Sequence, residues 1–159
     1  MMLTTSDRKR LEAADGFLAL GMPMEAHDEL ESIAPEARHL SEMLEVRLGI
    51  FQTLERWELV QTVAATLTKR DPQNLRAWIA WATAERRQGR QDETRRVLSA
   101  GITANCGRSG ELWIALACLE CEAGNLDRAK EAVETAIKSD GNLRLRALDE
   151  PALAPLWMV

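Results

Sequence analysis

Cys118 and Cys121, three residues apart, are the pair in this chain whose spacing comes nearest to reactive chemistry. A Cys-x-x-Cys pair works in redox exchange when it opens a helix behind a strand, where the helix N-terminus lowers the thiol pKa. Here the pair falls deep inside a predicted helix, with no strand beside it. Structural zinc needs four ligands, and no second Cys or His pair stands at a suitable distance. The expectation is two small apolar fillers, reduced and free of metal. Cys106 makes the cysteine number odd, at spacings that suggest no disulfide framework, which fits a reducing compartment.

The remaining candidates for chemistry thin out quickly. His27 and His39 lie in no constellation with a nucleophile and an orienting carboxylate, and solvated side chains are expected at both. The chain has no Gly-rich phosphate loop, no His-Glu-x-x-His and no calcium loop. No catalysis, cofactor or metal is expected. A basic cluster of Arg76, Arg86, Arg87, Arg90, Arg95 and Arg96 stands out in a chain of net charge −5. Its plain reading is a solvated charged face, its functional readings a site for an acidic peptide or for RNA. Nucleic acid is not favoured as a partner, because such binding draws on lysines and arginines neutralising phosphates.

The elements that must position these residues are helices. No segment sustains period-two alternation of β-branched residues, whereas Trp78, Trp81, Ala82 and Glu85 fall on one helical stripe. Gly89 supplies a helix end, and Asp92 a cap or start for the next helix. At 159 residues, with 46% hydrophobic and 28% charged residues, the chain suits one compact folded domain. No run approaches the roughly 18 apolar residues of a membrane span, and the charged start (Asp7, Arg8, Lys9, Arg10) does not read as a signal peptide. A cytoplasmic protein with no membrane contact is expected.

Two segments superimpose at an offset of 35 residues. Trp78 matches Trp113, Glu85 matches Glu120, Gly89 matches Gly124, Asp92 matches Asp127 and Ile102 matches Ile137. Steps of 34 backwards find weaker copies, with Glu55 and Gly21 in the place of Gly89, and Leu44, Leu48 and Phe51 in those of Trp78, Ala82 and Glu85. The expected organisation is a tail at 1–6, repeats at 7–40, 41–74, 75–109 and 110–143, and a cap at 144–159. Each repeat is a helix, a Gly-centred turn and a second helix, unable to bury its apolar face alone.

At these residues the sequence resembles the tetratricopeptide repeat (TPR) family, whose pattern is W-x2-L-G-x2-Y, then A-x3-F, then P. Trp113, Leu116 and Ala117 fit the first part, and Ala129 and Val133 the second; Trp78, Trp81 and Ala82 also fit. Glu85 and Glu120 stand where the pattern has Tyr, a feature similar to half-a-TPR repeats, which are associated with RNA-processing scaffolds. The plainer account of both is a partly buried carboxylate paired with an arginine of a neighbouring helix. The closing stretch through Pro151, Pro155 and Trp157 resembles small stand-alone bacterial TPR proteins.

The resemblance implies an all-α fold: a right-handed superhelix of about four antiparallel helix pairs, with a short C-terminal capping segment. It also implies a concave wall built from first-helix positions two, five, nine and twelve. Carried over, the wall holds Arg8, Leu11, Asp15 and Leu18; Glu42, Glu45, Gly49 and Gln52; Arg76, Ile79, Thr83 and Arg86; and Glu111, Ile114, Cys118 and Cys121. Position six adds Val46 and Ala80. The expected partner-binding set is Leu11, Val46, Gly49, Arg76, Ile79, Thr83, Arg86, Ile114 and Cys118, with Ile79, Thr83, Ile114 and Cys118 as an apolar floor.

Such a wall suits a short apolar or amphipathic peptide. The implied function is a non-catalytic scaffold for a protein or peptide segment, an adaptor or a chaperone. The alternatives are a self-associating subunit that docks its apolar tail on another copy, and an RNA-processing scaffold. In the capping role, Leu145, Leu148, Leu153, Leu156 and Trp157 are expected to cover the last repeat, with Pro151 and Pro155 preventing one long helix.

Overall fold

The computed structural model describes residues 1–158. Its helices fall into four pairs. α1 (Thr5–Ala19) pairs with α2 (Pro23–Glu31), and α3 (Ser41–Thr53) with α4 (Trp57–Arg70). α5 (Leu75–Arg87) pairs with α6 (Gln91–Ala104), and α7 (Gly110–Glu122) with α8 (Leu126–Ser139). α9 (Leu143–Asp149) and a 3-10 segment, Pro151–Leu156, follow, and among the described residues there is no strand. The first helix starts at Thr5, two residues before the expected repeat boundary, because Thr4 caps it. The Thr4 hydroxyl accepts from the amide of Asp7 at 3.1 Å and donates to its carboxylate at 2.6 Å.

One turn joins the two helices of every pair. Gly21, Glu55, Gly89 and Gly124 occupy the left-handed region, at φ 73°, 54°, 75° and 80°. The next amide then reaches back to the helix: Met22 to Phe17 O (2.9 Å), Arg56 to Phe51 O (2.9 Å), Arg90 to Glu85 O (3.0 Å) and Asn125 to Glu120 O (2.8 Å). This is the Schellman arrangement, in which the left-handed residue lets two amides satisfy the last carbonyls. The 34- and 35-residue spacing of the sequence is thus the spacing of one repeated backbone turn.

Residues 1–70 and the residues from Asp71 onward form two compact units. In the first, Ala14, Ala26, Leu30, Ile33, Met43, Val46 and Ile50 make the core. Arg38 Nε donates to Ile33 O at 3.2 Å and Arg70 Nη1 to His39 O at 2.6 Å, satisfying carbonyls in the join between its two pairs. His39 is exposed and His27 half-buried, so only His39 has the solvated state expected of both.

In the second unit, Trp78, Val97, Leu98, Ile102, Leu112 and Leu119 pack together. The Trp78 indole lies parallel to that of Trp81, with centroids 5.7 Å apart and planes inclined by 8°. Trp78 Nε1 donates to Pro72 O (2.8 Å), and Trp113 Nε1 repeats the contact to Gly107 O (3.1 Å) 35 residues on. Asp92 does not cap α6: the N-cap is Arg90, and Asp92 sits in the first turn, paired with Arg95 at 3.3 Å. Its carboxylate there meets the positive end of the helix dipole.

Candidate partner-binding groove

The first helices of the second unit, α5 and α7, carry alternating small and branched side chains on their facing sides. With the chain end they enclose a cavity of about 180 Å³. Ile79, Ala82 and Thr83 of α5 form one side, and Ile114, Ala115 and Cys118 of α7 the other. Thr94 and Leu98 of α6 lie at the back, and Arg86, Glu111, Arg146 and Glu150 supply its charged groups. Pockets that enclose drug-sized ligands run to about 300–1,000 Å³. This one has room for a side chain or two of a peptide.

Five of the sequence-derived residues therefore meet here: Ile79, Thr83, Arg86, Ile114 and Cys118. Arg76 does not line the cavity and is exposed on the first turn of α5. Leu11, Val46 and Gly49 belong to the first unit. Expected on an open wall, Val46 and Gly49 are buried, and Leu11 is half-buried against the same core. The cause is local: α1 packs on α3, so those positions meet a neighbouring helix rather than solvent. At the edge of that contact Arg8 and Glu42, both wall positions, form an exposed ion pair at 3.9 Å.

The floor is also narrower than expected. Ile114 and Cys118 are only 3% and 7% exposed, packed in one cluster with Cys121, Ala147 and the fully buried Leu153. The 3-10 segment lies on α7, so the chain's own end covers the fourth repeat's share of the wall. Ile79, Thr83 and Ala115 remain half-buried and open to the cavity. In the tail, Leu143, Ala147 and Leu153 are buried, whereas Leu145, Leu148 and Trp157 are exposed. The buried stripe is thus i, i+4 from Leu143, one the leucines at 145 and 148 concealed.

Burial also governs the cysteine chemistry. Cys118 and Cys121 are free thiols inside the cluster, and Cys106 is exposed. Burial pushes the Cys118 thiol up to about 11, with the nearby Glu150 carboxylate adding to the shift. Burial likewise raises Cys121. Both are held as thiols, the unreactive form. Among the described residues no cluster of three or more His, Cys, Asp or Glu is placed to hold a metal ion.

The arginine cluster is largely spent on internal carboxylates. Arg90 meets Glu85 at 3.1 Å, Arg95 meets Glu120 at 2.6 Å, and Arg96 meets Glu93 at 2.7 Å. Arg86 Nε donates to Glu122 at 3.1 Å. Glu85 also accepts from Trp81 Nε1 (3.2 Å), and Glu120 from Asn125 Nδ2 (2.7 Å). The two carboxylates at the Tyr position are buried and paired with arginine: Glu120 meets Arg95 of the neighbouring α6 as expected, whereas the partner of Glu85, Arg90, stands in the turn after its own helix, at the N-cap of α6.

Two groups at the groove escaped sequence reasoning: Arg146 and Glu150. Arg146 Nη1 pairs with Glu111 at 2.5 Å. Glu150 accepts from the amide of Ala152 at 3.4 Å, at the N-cap of the 3-10 segment. A carboxylate before a proline is a helix-start signal, which could have marked Glu150 as an N-cap but not placed it at the groove.

Stacked helix pairs with one repeated turn, tryptophan anchors and small residues between first helices define the class: a helical-repeat protein. Residues 75–117, the third helix pair and the start of the fourth, match the tetratricopeptide repeat family. No curated protein matches the chain in sequence. Among solved structures, a thermophilic TPR protein of Thermus thermophilus is similar over 96% of this chain and 81% of its own, at 20% identity and a TM-score of 0.70. MamA (41-end) from Desulfovibrio magneticus RS-1 is similar over 98% and 93%, at 18% identity and a TM-score of 0.69. MamA from MSR-1 covers 84% of this chain and 76% of its own, at 16% identity and a TM-score of 0.69. The fold is that of tetratricopeptide-repeat proteins. Among the described residues, no helix is long and apolar enough to cross a membrane.

Proposed function

We propose that the chain is a non-catalytic scaffold that holds a short segment of a partner protein in the groove between α5 and α7. The observation that carries this reading is the cavity itself, open at Ile79, Thr83 and Ala115 and of side-chain size. An apolar side chain entering it gains from leaving water, and the two helices, each packed on its partner, are ordered before binding. Preorganisation lowers the entropy that association must overcome. The fold comes from stacked helix pairs whose shared faces serve such contacts. The test is to pan a random peptide library on the full chain and map selected peptides by NMR. Shift changes centred on Ile79, Thr83 and Ala115, abolished by Ile79→Glu or Thr83→Glu in variants that keep the parental far-UV spectrum, are the expected result. Peptides that bind elsewhere would refute it.

A second reading, self-association through the chain end, is favoured by the exposure of Leu145, Leu148, Trp157 and Met158 together. Light scattering across a concentration series tests it, a rising mass being the expected result. An RNA-scaffold role loses support, because four of the six clustered arginines are already paired with carboxylates.

A further inference from the structure

The charges around the groove do not balance. Arg86 is engaged by Glu122 and Arg146 by Glu111, two pairs that cancel locally. Glu150 is the remaining lining charge, and among the described residues its carboxylate accepts only the long capping contact from the Ala152 amide at 3.4 Å. It forms no ion pair among the described residues and stays partly open to water. The same imbalance acts on Cys118 on the cavity side of α7, where the field of Glu150 raises the thiol more than Arg86 lowers it. The clustered arginines suggest a site for an acidic ligand; the built groove is the reverse, an apolar cavity with one uncompensated carboxylate at its rim.

Building on the groove proposed above, we infer that it selects segments in which an apolar side chain stands beside a lysine or arginine, the apolar group filling the cavity and the cation meeting Glu150. A partner cation reaching a partly exposed carboxylate gives up only part of its hydration, and it finds an acceptor neither of whose oxygens carries a cation. A partner carboxylate at the same place would meet a like charge, which discriminates against acidic segments. Arg86 and Arg146 offer such a segment little relief, because the charge of each is already met by a carboxylate.

The probes are three fluorescein-labelled heptapeptides, Ala-Ala-Leu-Xaa-Leu-Ala-Ala with Xaa as Lys, Gln or Glu, titrated by anisotropy into the full chain at low salt. Lys should bind tighter than Gln, and Gln tighter than Glu, by roughly fivefold per step, the scale of a partly exposed ion pair. Glu150→Gln keeps an oxygen to cap Ala152 and should bring the Lys peptide level with the Gln peptide. Glu150→Lys should reverse the order. Equal affinities of the three peptides for the parent chain overturn the charge selection and leave the groove standing. Affinities that Ile79→Glu and Thr83→Glu leave unchanged, or no binding of any of the three, overturn the groove as well.

Discussion

Arg95 on α6 donates from Nε to the Glu120 carboxylate on α7 at 2.6 Å, fastening the second helix of one repeat to the first helix of the next. That hydrogen bond, with a further one from Asn125, holds the buried Glu120 carboxyl below its ordinary value of 4.5. A depressed folded-state pKa means that the stabilisation is complete above about pH 4.5 and is lost as pH falls through the lowered value. Chemical denaturation of the parent from pH 7 to pH 3 should show that loss, and Glu120→Gln should flatten it. Arg95→Ala leaves a buried carboxylate without its cation and should cost about 3 kcal/mol at pH 7. An Arg95→Ala midpoint equal to the parent's would show that Glu120 finds another partner.

Glu55 takes φ 54° at the turn where the other three pairs have glycine. A side chain in the left-handed region costs about 1–2 kcal/mol, because Cβ crowds the following carbonyl. Glu55→Gly should therefore raise stability by about 1 kcal/mol. Nothing lies within 4 Å of a Cβ built on Gly89, so Gly89→Ala should lower stability for the mirror reason, backbone strain without a clash. Thermal melts of the two variants should move in opposite directions.

Much of the fold was legible because one turn recurs: the match of Gly89 to Gly124, with Glu55 between Gly21 and Gly89, is visible in the letters alone. The tryptophan anchors were legible for the same reason. The site was only half legible. Positional carry-over reached Ile79, Thr83 and Arg86 of α5 and Ile114 and Cys118 of α7, because helical period places each set on one stripe of its own helix. The tail's role as a cover and the part of Leu153 in it were legible. Which α7 residues it buries was not, nor that Leu143 and Ala147 share the burial while Leu145, Leu148 and Trp157 stay exposed, since the spacing of a proline-broken tail does not encode where it lands. Nor could carry-over pair Arg86 with Glu122 or Arg146 with Glu111, contacts that depend on how neighbouring helices are offset.

Gly101 shows a close approach that periodicity does not announce. A Cβ built there stands 2.9 Å from Cγ and 3.0 Å from Cδ2 of Trp78, both in a rigid indole ring. Gly101→Ala should force the ring or α6 to move and cost about 1–3 kcal/mol. Trp78→Ala should cost about 3–5 kcal/mol through the cavity it leaves. The double variant should lose less than the sum of the two, since removing the ring removes the clash. Strict additivity in denaturant midpoints would separate the two sites.

The three cysteines should react in order of exposure. Cys106 is exposed, whereas Cys118 and Cys121 are buried and their thiolates disfavoured. In the native protein a thiol reagent should modify Cys106 within the mixing time of ordinary assays and spare the other two. A thiol whose folded-state pKa is raised keeps its full stabilising share below its ordinary value of 9.0 and loses it as pH rises through about 11. Alkaline unfolding should therefore set in over that window, and Cys118→Ala should weaken its pH dependence. Peptide mapping that found Cys118 labelled as fast as Cys106 at pH 8 would contradict its placement.

Leu153 is fully buried against the α7 face that carries Ile114, Cys118 and Cys121, although it belongs to a six-residue 3-10 segment. A short segment has few hydrogen bonds of its own to hold it, so the anchoring rests on side-chain burial. Leu143 and Ala147 of α9 share that burial, and the half-exposed Arg146–Glu111 pair adds little in water. Leu153→Ala should therefore cost about 2–5 kcal/mol, and its effect should be local before it is global. Release of the segment uncovers α7, so alkylation of Cys118 should accelerate at temperatures well below the main melt, while the far-UV signal of the helix pairs persists. Mass spectrometry of iodoacetamide-treated protein, sampled along a temperature series, reads the two events separately. A variant whose Cys118 stays protected until the whole chain melts would show that α9, not Leu153, holds the cover in place.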